Sequence, residues 1–107
     1  MSEDINKKIV ELAGQDKILG STIRLSIMTL LYLNGKMKFT ELKRILKLTS
    51  GNLSVHLKKL DAAGYVKIEK TFLNLKPATL VVLTKKGAKK LLEFYTSIKD
   101  IADALKQ

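Results

Sequence analysis

The period of the chain changes abruptly at one glycine. In LKLTSGNLSVHLKKLDAAGYVKIEK, residues 46–70, Leu53, Leu57 and Leu60 recur at helical spacing ahead of Gly64. Directly after it, Val66 and Ile68 alternate with Lys67 and Glu69. Spacings of three and four describe a helix with one apolar face, and alternation describes a half-buried strand. No linker separates the two, so a helix over residues 50–63 is followed directly by a half-buried strand. Thr49 is placed to cap the helix start, and Gly64 to end it.

The flanking segments fit around this unit. EDINKKIVEL sets Ile5, Ile9 and Leu12 four and three apart, an amphipathic helix that Gly14 ends or bends. STIRLSIMTLLYLN is a second helix, capped by Ser21 or Thr22, with Ile23, Ile27, Leu30 and Leu31 on one face. NGK is a turn signal, and MKF fits a very short strand. TELKRILKL sets Leu42, Ile45 and Leu46 opposite Lys43, Arg44 and Lys47. After the alternating YVKIEKTF, the segment LNLKPAT carries the only proline, Pro77. It reads as a loop longer than a tight turn, with TLVVLT as the returning strand. A last helix runs from about residue 85 to 106, with Gly87 near its start. No repeat or linker interrupts residues 1–107, so a single unit is expected, large enough for one modest core.

Charge narrows the partner. The net charge is +10, unevenly spread: residues 1–35 sum to zero, residues 36–76 to +7 and residues 77–107 to +3. Cation concentrated around the quoted stretch implies a polyanionic partner, most often nucleic acid. Other classes fall away. There is no cysteine, so disulfides, thiolate metal sites and cysteine nucleophiles are excluded. His56 is the one histidine, which excludes a multi-histidine metal site within the chain. With no phosphate-binding glycine loop and no evident carboxylate pair, neither an enzyme nor a cofactor is expected. No apolar run approaches the roughly 20 residues that cross a bilayer, and the N-terminus lacks a signal-peptide pattern. A cytoplasmic protein without a membrane partner is the expectation.

The helix over residues 50–63 opens small and polar and continues cationic. At 100° per residue, Gly51, Asn52, Val55, Lys58 and Lys59 lie opposite the leucines, with Ser50 and Ser54 at the flanks. A helix entering the DNA major groove leads with its N-terminal turns. There Gly51 leaves room, and Asn52 has the groups to bond adenine bidentately. Ser50 and Ser54 suit any base, and Val55 suits a thymine methyl. Lys58 and Lys59 lie further along, where phosphates run. The alternative is ordinary capping followed by a solvated lysine face. TELKRILKL, joined through a short turn, supplies helix-turn-helix spacing over residues 39–63 and favours DNA.

With these parts in order, STIRLSIMTLLYLNGKMKFTELKRILKLTSGNLSVHLKKLDAAGYVKIEK followed by KPATLVVLTKKGAKKL resembles the winged-helix transcriptional regulators related to MarR and ArsR. It is most like their small stand-alone branch, and the match spans about residues 18–92. The resemblance implies a mainly α fold: a three-helix core, a two-stranded β-hairpin wing over residues 65–84, and DNA binding as a homodimer. Its recognition-helix positions fall on Ser50, Gly51, Asn52, Ser54, Val55, His56, Lys58 and Lys59, and its wing on residues 70–79, with Lys70 and Lys76. Relatives often carry an arginine and an aromatic in the wing. This chain has KPATLVVLT, with Ala78, Val81 and Val82. Lys76 is the main cation near the tip, so the wing is expected to add phosphate affinity. The cysteine-rich motifs of metal-sensing relatives are absent.

Three features remain open in the sequence. His56 lies between the core and exposed faces, either contacting DNA or packing. Arg24 either pairs with an acid or reaches a phosphate. Ala88, Leu91, Tyr95, Ile98, Ala102 and Leu105 follow heptad spacing. With Ile5, Ile9 and Leu12, they make residues 1–14 and 85–106 dimerisation helices. The alternative is that these helices pack on each other within one monomer. A dimer presents two recognition helices to an inverted repeat. A small effector could sit between those helices and the core, though nothing identifies one. One competing function is a low-specificity architectural DNA-binding protein, which the charge fits equally well. Another is a winged helix that docks on a protein partner through the same helix over residues 50–63, which the polar N-terminal face and concentrated charge argue against.

Overall fold

In the computed structural model, which describes residues 3–14 and 17–107, five helices surround a three-stranded sheet. Met1 and Ser2, the start of the expected first dimerisation segment, lie outside the described residues. The order is α1 (Glu3–Ala13), α2 (Thr22–Asn34), β1 (Met37–Lys38), α3 (Phe39–Leu46), α4 (Ser50–Ala62), β2 (Val66–Leu73), β3 (Lys76–Leu83) and α5 (Lys85–Leu105). The sheet is antiparallel in the order β1-β3-β2. This is the winged-helix architecture, mainly α with a hairpin wing, as the sequence implied.

Local chemistry sets the boundaries. Ser21 caps α2, its hydroxyl accepting from the Arg24 N–H at 3.3 Å, and Gly35 ends it at φ 76°. Between α3 and α4 only Lys47, Leu48 and Thr49 intervene, with Lys47 in the left-handed region at φ 54°. Thr49 caps α4, accepting from the Asn52 N–H at 3.1 Å. Gly64, at φ 78°, turns the chain into β2. Leu53, Leu57 and Leu60 are buried with Ile27, Met28, Leu31, Leu42, Val66 and Val81 in one core.

The hairpin corrects two expectations. Its loop is a two-residue turn, Asn74 and Leu75, both with positive φ, and Pro77 lies inside β3 opposite Phe72. A two-residue turn closes on a hydrogen-bonded pair, here Leu73 with Lys76, and pair types then alternate. Pro77 therefore takes a position where its nitrogen faces away from β2. β1 pairs with β3 only at Leu80 and Val81, so no partner needs the missing N–H. Ile68 shares the face of Val66 but is 37% exposed against 1%. Eight-residue strands reach about 26 Å, and the hairpin outruns the core after its first pairs.

α5 begins against the junction of α4 and β2. The Thr84 hydroxyl donates to the Gly64 carbonyl at 2.6 Å and accepts from the Gly87 N–H at 3.0 Å, while the Thr84 N–H donates to the Tyr65 carbonyl. Gly87 is required here, because a Cβ would stand 2.3 Å from the Tyr65 oxygen. Leu91 and Phe94 enter the core, and beyond Phe94 no residue of α5 is buried. α1 runs antiparallel along that distal half: Lys8 pairs with Asp100, Ile5 lies near Ala104, and Glu11 near Glu93. The chain is elongated, 58 Å by 24 by 22 Å.

Candidate nucleic-acid interface

α4 is held by its leucine face and its Thr49 cap, which leaves the opposite face free of structural duties. Ser50, Gly51, Asn52, Val55, Lys58 and Lys59 are exposed, and Ser54 and His56 are half-buried. A Cβ at Gly51 would meet nothing within 4 Å, and its φ is not left-handed. The fold has no need of glycine there, and a helical glycine costs about 1 kcal/mol relative to alanine. What it contributes is a clear approach to the backbone. Among the described residues the ion pairs are Lys8–Asp100, Lys36–Glu69, Lys90–Glu93 and Lys99–Asp103. Lys58, Lys59, Lys70 and Lys76 belong to none of them, so their charge is available to an external anion.

His56 and Arg24, open in the sequence, answer each other. Arg24 is 9% exposed and pairs with no acid among the described residues. Its Nε donates to the Ile18 carbonyl at 2.9 Å and its Nη2 to the Lys17 carbonyl at 3.2 Å. Its Nη1 stands 3.2 Å from His56 Nδ1. A guanidinium only donates, so Nδ1 accepts and the neutral ring carries its proton on Nε2. Burial first, then the cations of Arg24 and Lys59, holds the His56 pKa below its ordinary value. His56 is thus tied to the turn before α2, with one N–H left to donate.

On the wing, Lys70 and Thr79 are cross-strand partners on the face of Val66 and Val81, and Lys76 pairs with Leu73 on the other face. An open cleft of about 640 Å³ lies between the hairpin and the start of α3, lined by Lys38, Thr40, Lys70, Phe72, Lys76 and Thr79 among others. It joins Lys70 and Lys76 to Lys38 and Thr40, and no residue of α4 lines it. Lys38 and Thr40, which the sequence pattern did not single out, stand beside the wing lysines here. Their signal was a lysine and a threonine bracketing a helix start inside the most cationic segment. At the base of α5, Lys86 lies 5.6 Å from the Tyr65 ring centroid and Lys90 pairs with Glu93. Among the described residues no group of acids and His56 converges as a metal site, and no helix is long and apolar enough to cross a membrane.

The arm made by α1 and distal α5 holds the expected dimer residues in several states. Leu91 is 3% exposed within the core, which removes it from any surface seam. Its place in the heptad spacing is also its place facing α2 and the sheet. Leu12 packs against the same core. Tyr95 shares a hydrogen bond with Thr29 Oγ1 at 2.8 Å but keeps part of its ring exposed. Ile5 and Ala102 are half-buried. Ile9, Ile98 and Leu105 are exposed, together with Val10 and Leu92. The two helices do pack on each other within the chain, and they still leave apolar surface uncovered.

Comparison with known proteins places this geometry. A family described as winged helix DNA-binding domain matches residues 23–102. An uncharacterized protein of Methanocaldococcus jannaschii is 41% identical over 71 residues, 66% of this chain and 77% of its own length. The structure of a transcriptional regulator homologue from Pyrococcus horikoshii OT3 superposes with a TM-score of 0.87 at 33% identity, over 94% of this chain and 99% of that one. A mutant of MarR from E. coli shares the fold, with a TM-score of 0.70 at 21% identity, over 96% of this chain and 77% of that one.

Proposed function

The chain belongs to the winged helix DNA-binding domain family, and from that membership we propose that it is a transcriptional regulator reading a specific duplex sequence as a homodimer. The recognition helix α4 enters the major groove, with Ser50, Gly51, Asn52, Ser54 and Val55 toward base edges and Lys58 and Lys59 toward phosphates. His56 donates from Nε2 to the backbone. Lys70 and Lys76 bring the wing to the flanking backbone, joined by Lys38 and Thr40. The apolar surface of Ile9, Ile98 and Leu105 meets its copy in a second chain, with Ile5, Tyr95 and Ala102 at its margin.

The observation that carries this reading is Gly51. A glycine with open space around it, next to Asn52 on a capped helix, has no structural reason and a clear recognition reason. Sequence readout and backbone attraction separate by mutation. Asn52→Ala is expected to lose about 1–3 kcal/mol at one base pair and to relax preference there. Lys58→Ala is expected to weaken all sequences alike and flatten the salt dependence. Binding titrations over a panel of duplexes measure both. If Asn52→Ala leaves both preference and affinity intact, the architectural reading, driven by charge alone, replaces this one. A small effector bound between arm and core would meet the shallow surface depression lined by Leu12, Lys17, Arg24 and Phe94.

A further inference from the structure

The wing ends in a tip that its fold does not explain. At the apex of the two-residue turn, Leu75 is 96% exposed and sits at φ 65°. Turns of this kind favour Asn-Gly, because both central residues need positive φ. Asn74 fits the first position, whereas Leu75 takes a conformation that costs an L-residue about 1–2 kcal/mol. It gains no packing in return. Phe72, 71% exposed, lies one pair behind the apex with Pro77 on its face. Leu73 lies on the other face. The end of the hairpin is therefore an apolar blade, strained at its point.

Charge says what the blade meets. Lys70 stands behind Phe72 on one face, and Lys76 stands beside Leu73 on the other. No acid occurs between residues 70 and 84. The nearest, Glu69, is paired with Lys36. An apolar protein pocket would need only the apex. A cation on each face of an apolar edge matches a groove with a floor of base edges and two walls of phosphate. The DNA minor groove has that form, and apolar side chains enter it as wedges that partly unstack a base step and kink the duplex.

Resting on the DNA-binding reading above, we propose that the wing tip is an apolar wedge: Leu75, backed by Phe72, enters the minor groove beside the recognition site and unstacks a base step. Lys70 and Lys76 hold the two phosphate walls. Bending the duplex at this step, and not only phosphate attraction, is then the wing's contribution.

Leu75→Gly tests this, because it creates the Asn-Gly turn and relieves the strain. The probe is a set of duplexes of the sequence that the protein selects from a random pool, each carrying at a different step flanking the half-site a fluorescent adenine analogue that brightens when unstacked. The unaltered protein is expected to bind these duplexes and brighten the probe at one step. Leu75→Gly is expected to melt no lower, to bind about tenfold more weakly, as for one leucine no longer buried, and to leave the probe dark. Unaltered protein that binds without brightening the probe overturns the wedge and leaves the DNA-binding reading standing. So does a Leu75→Gly variant that keeps both affinity and signal, which would give the tip to a protein or lipid partner. Unaltered protein that binds no duplex overturns both readings.

Discussion

The lobe formed by α2 to β3 and the start of α5 differs from the arm formed by α1 and distal α5 in one decisive respect. The lobe closes a core around Ile27, Leu31, Leu42, Leu53, Leu60 and Val81, with α2 and α4 capped by Ser21 and Thr49 and each followed by a glycine at positive φ, Gly35 and Gly64. The arm has the same apolar pattern in sequence but buries nothing fully: no residue of α1, and none of α5 beyond Phe94. Equal periodicity thus leads to unequal burial. What separates them is the number of elements within reach. In the lobe each apolar face meets two others, and in the arm it meets one. A helix apolar on more than one side needs another partner, and a second copy of the chain is the proposed one.

The sharpest break between the two regions comes from truncating the core. Leu53→Ala is expected to destabilise the chain by about 2–5 kcal/mol, read by urea denaturation at equilibrium. An effect as small as that of an arm substitution would deny the lobe its separate core. Next in size is the joint where lobe and arm meet. Gly87→Ala forces a Cβ onto the Tyr65 carbonyl and the Leu83 side chain, at about 1–3 kcal/mol. Gly51→Ala is the control, expected to be neutral or slightly stabilising because nothing lies near it. If the two alanines behave alike, the joint is not tight.

In the arm, Ile98→Asp is expected to cost the single chain about 1 kcal/mol, less than the core truncation because Ile98 is only partly covered within the chain. It is expected to convert the proposed dimer to monomer in sedimentation, and to abolish the dependence of the melting point on protein concentration. An unchanged mass would place the seam elsewhere. The smallest effect concerns pH. The folded His56 pKa is lowered from 6.5 by burial and by Arg24 and Lys59. Above that value the ring is neutral folded and unfolded, and stability is full. As pH falls through 6.5 the unfolded chain takes up the proton first, so stability declines until the folded ring titrates too. His56→Gln is expected to remove this part of the acid-side slope in melting profiles recorded across that range.

Much of this is legible in the sequence. The α4 leucines, the Thr49 cap and the Gly64 exit were readable because each depends on residues within a few positions of itself. The exposed face of α4 was readable for the same reason, since a helix with three buried leucines has only one place to put the rest. Long-range facts were not. Pro77 reads as a loop residue until the register shows its nitrogen facing an unpaired edge. Ile68 alternates with its neighbours like a buried residue, yet the length of the hairpin carries it past the core. Leu91 fits a heptad and a core equally well, and only the approach of α5 at Gly87 decides between them. Arg24 faces backbone carbonyls and His56, neither of which its own neighbourhood announces.

The most direct test is selection from a random pool of duplex DNA at physiological salt, followed by sequencing of the bound fraction. A homodimer reading sequence through α4 is expected to enrich an inverted repeat, with half-sites about 10 base pairs apart from centre to centre. Retention of DNA without enrichment of any sequence would contradict specific recognition by Asn52 and its neighbours, and failure to retain DNA at all would contradict the role assigned to the whole cationic face.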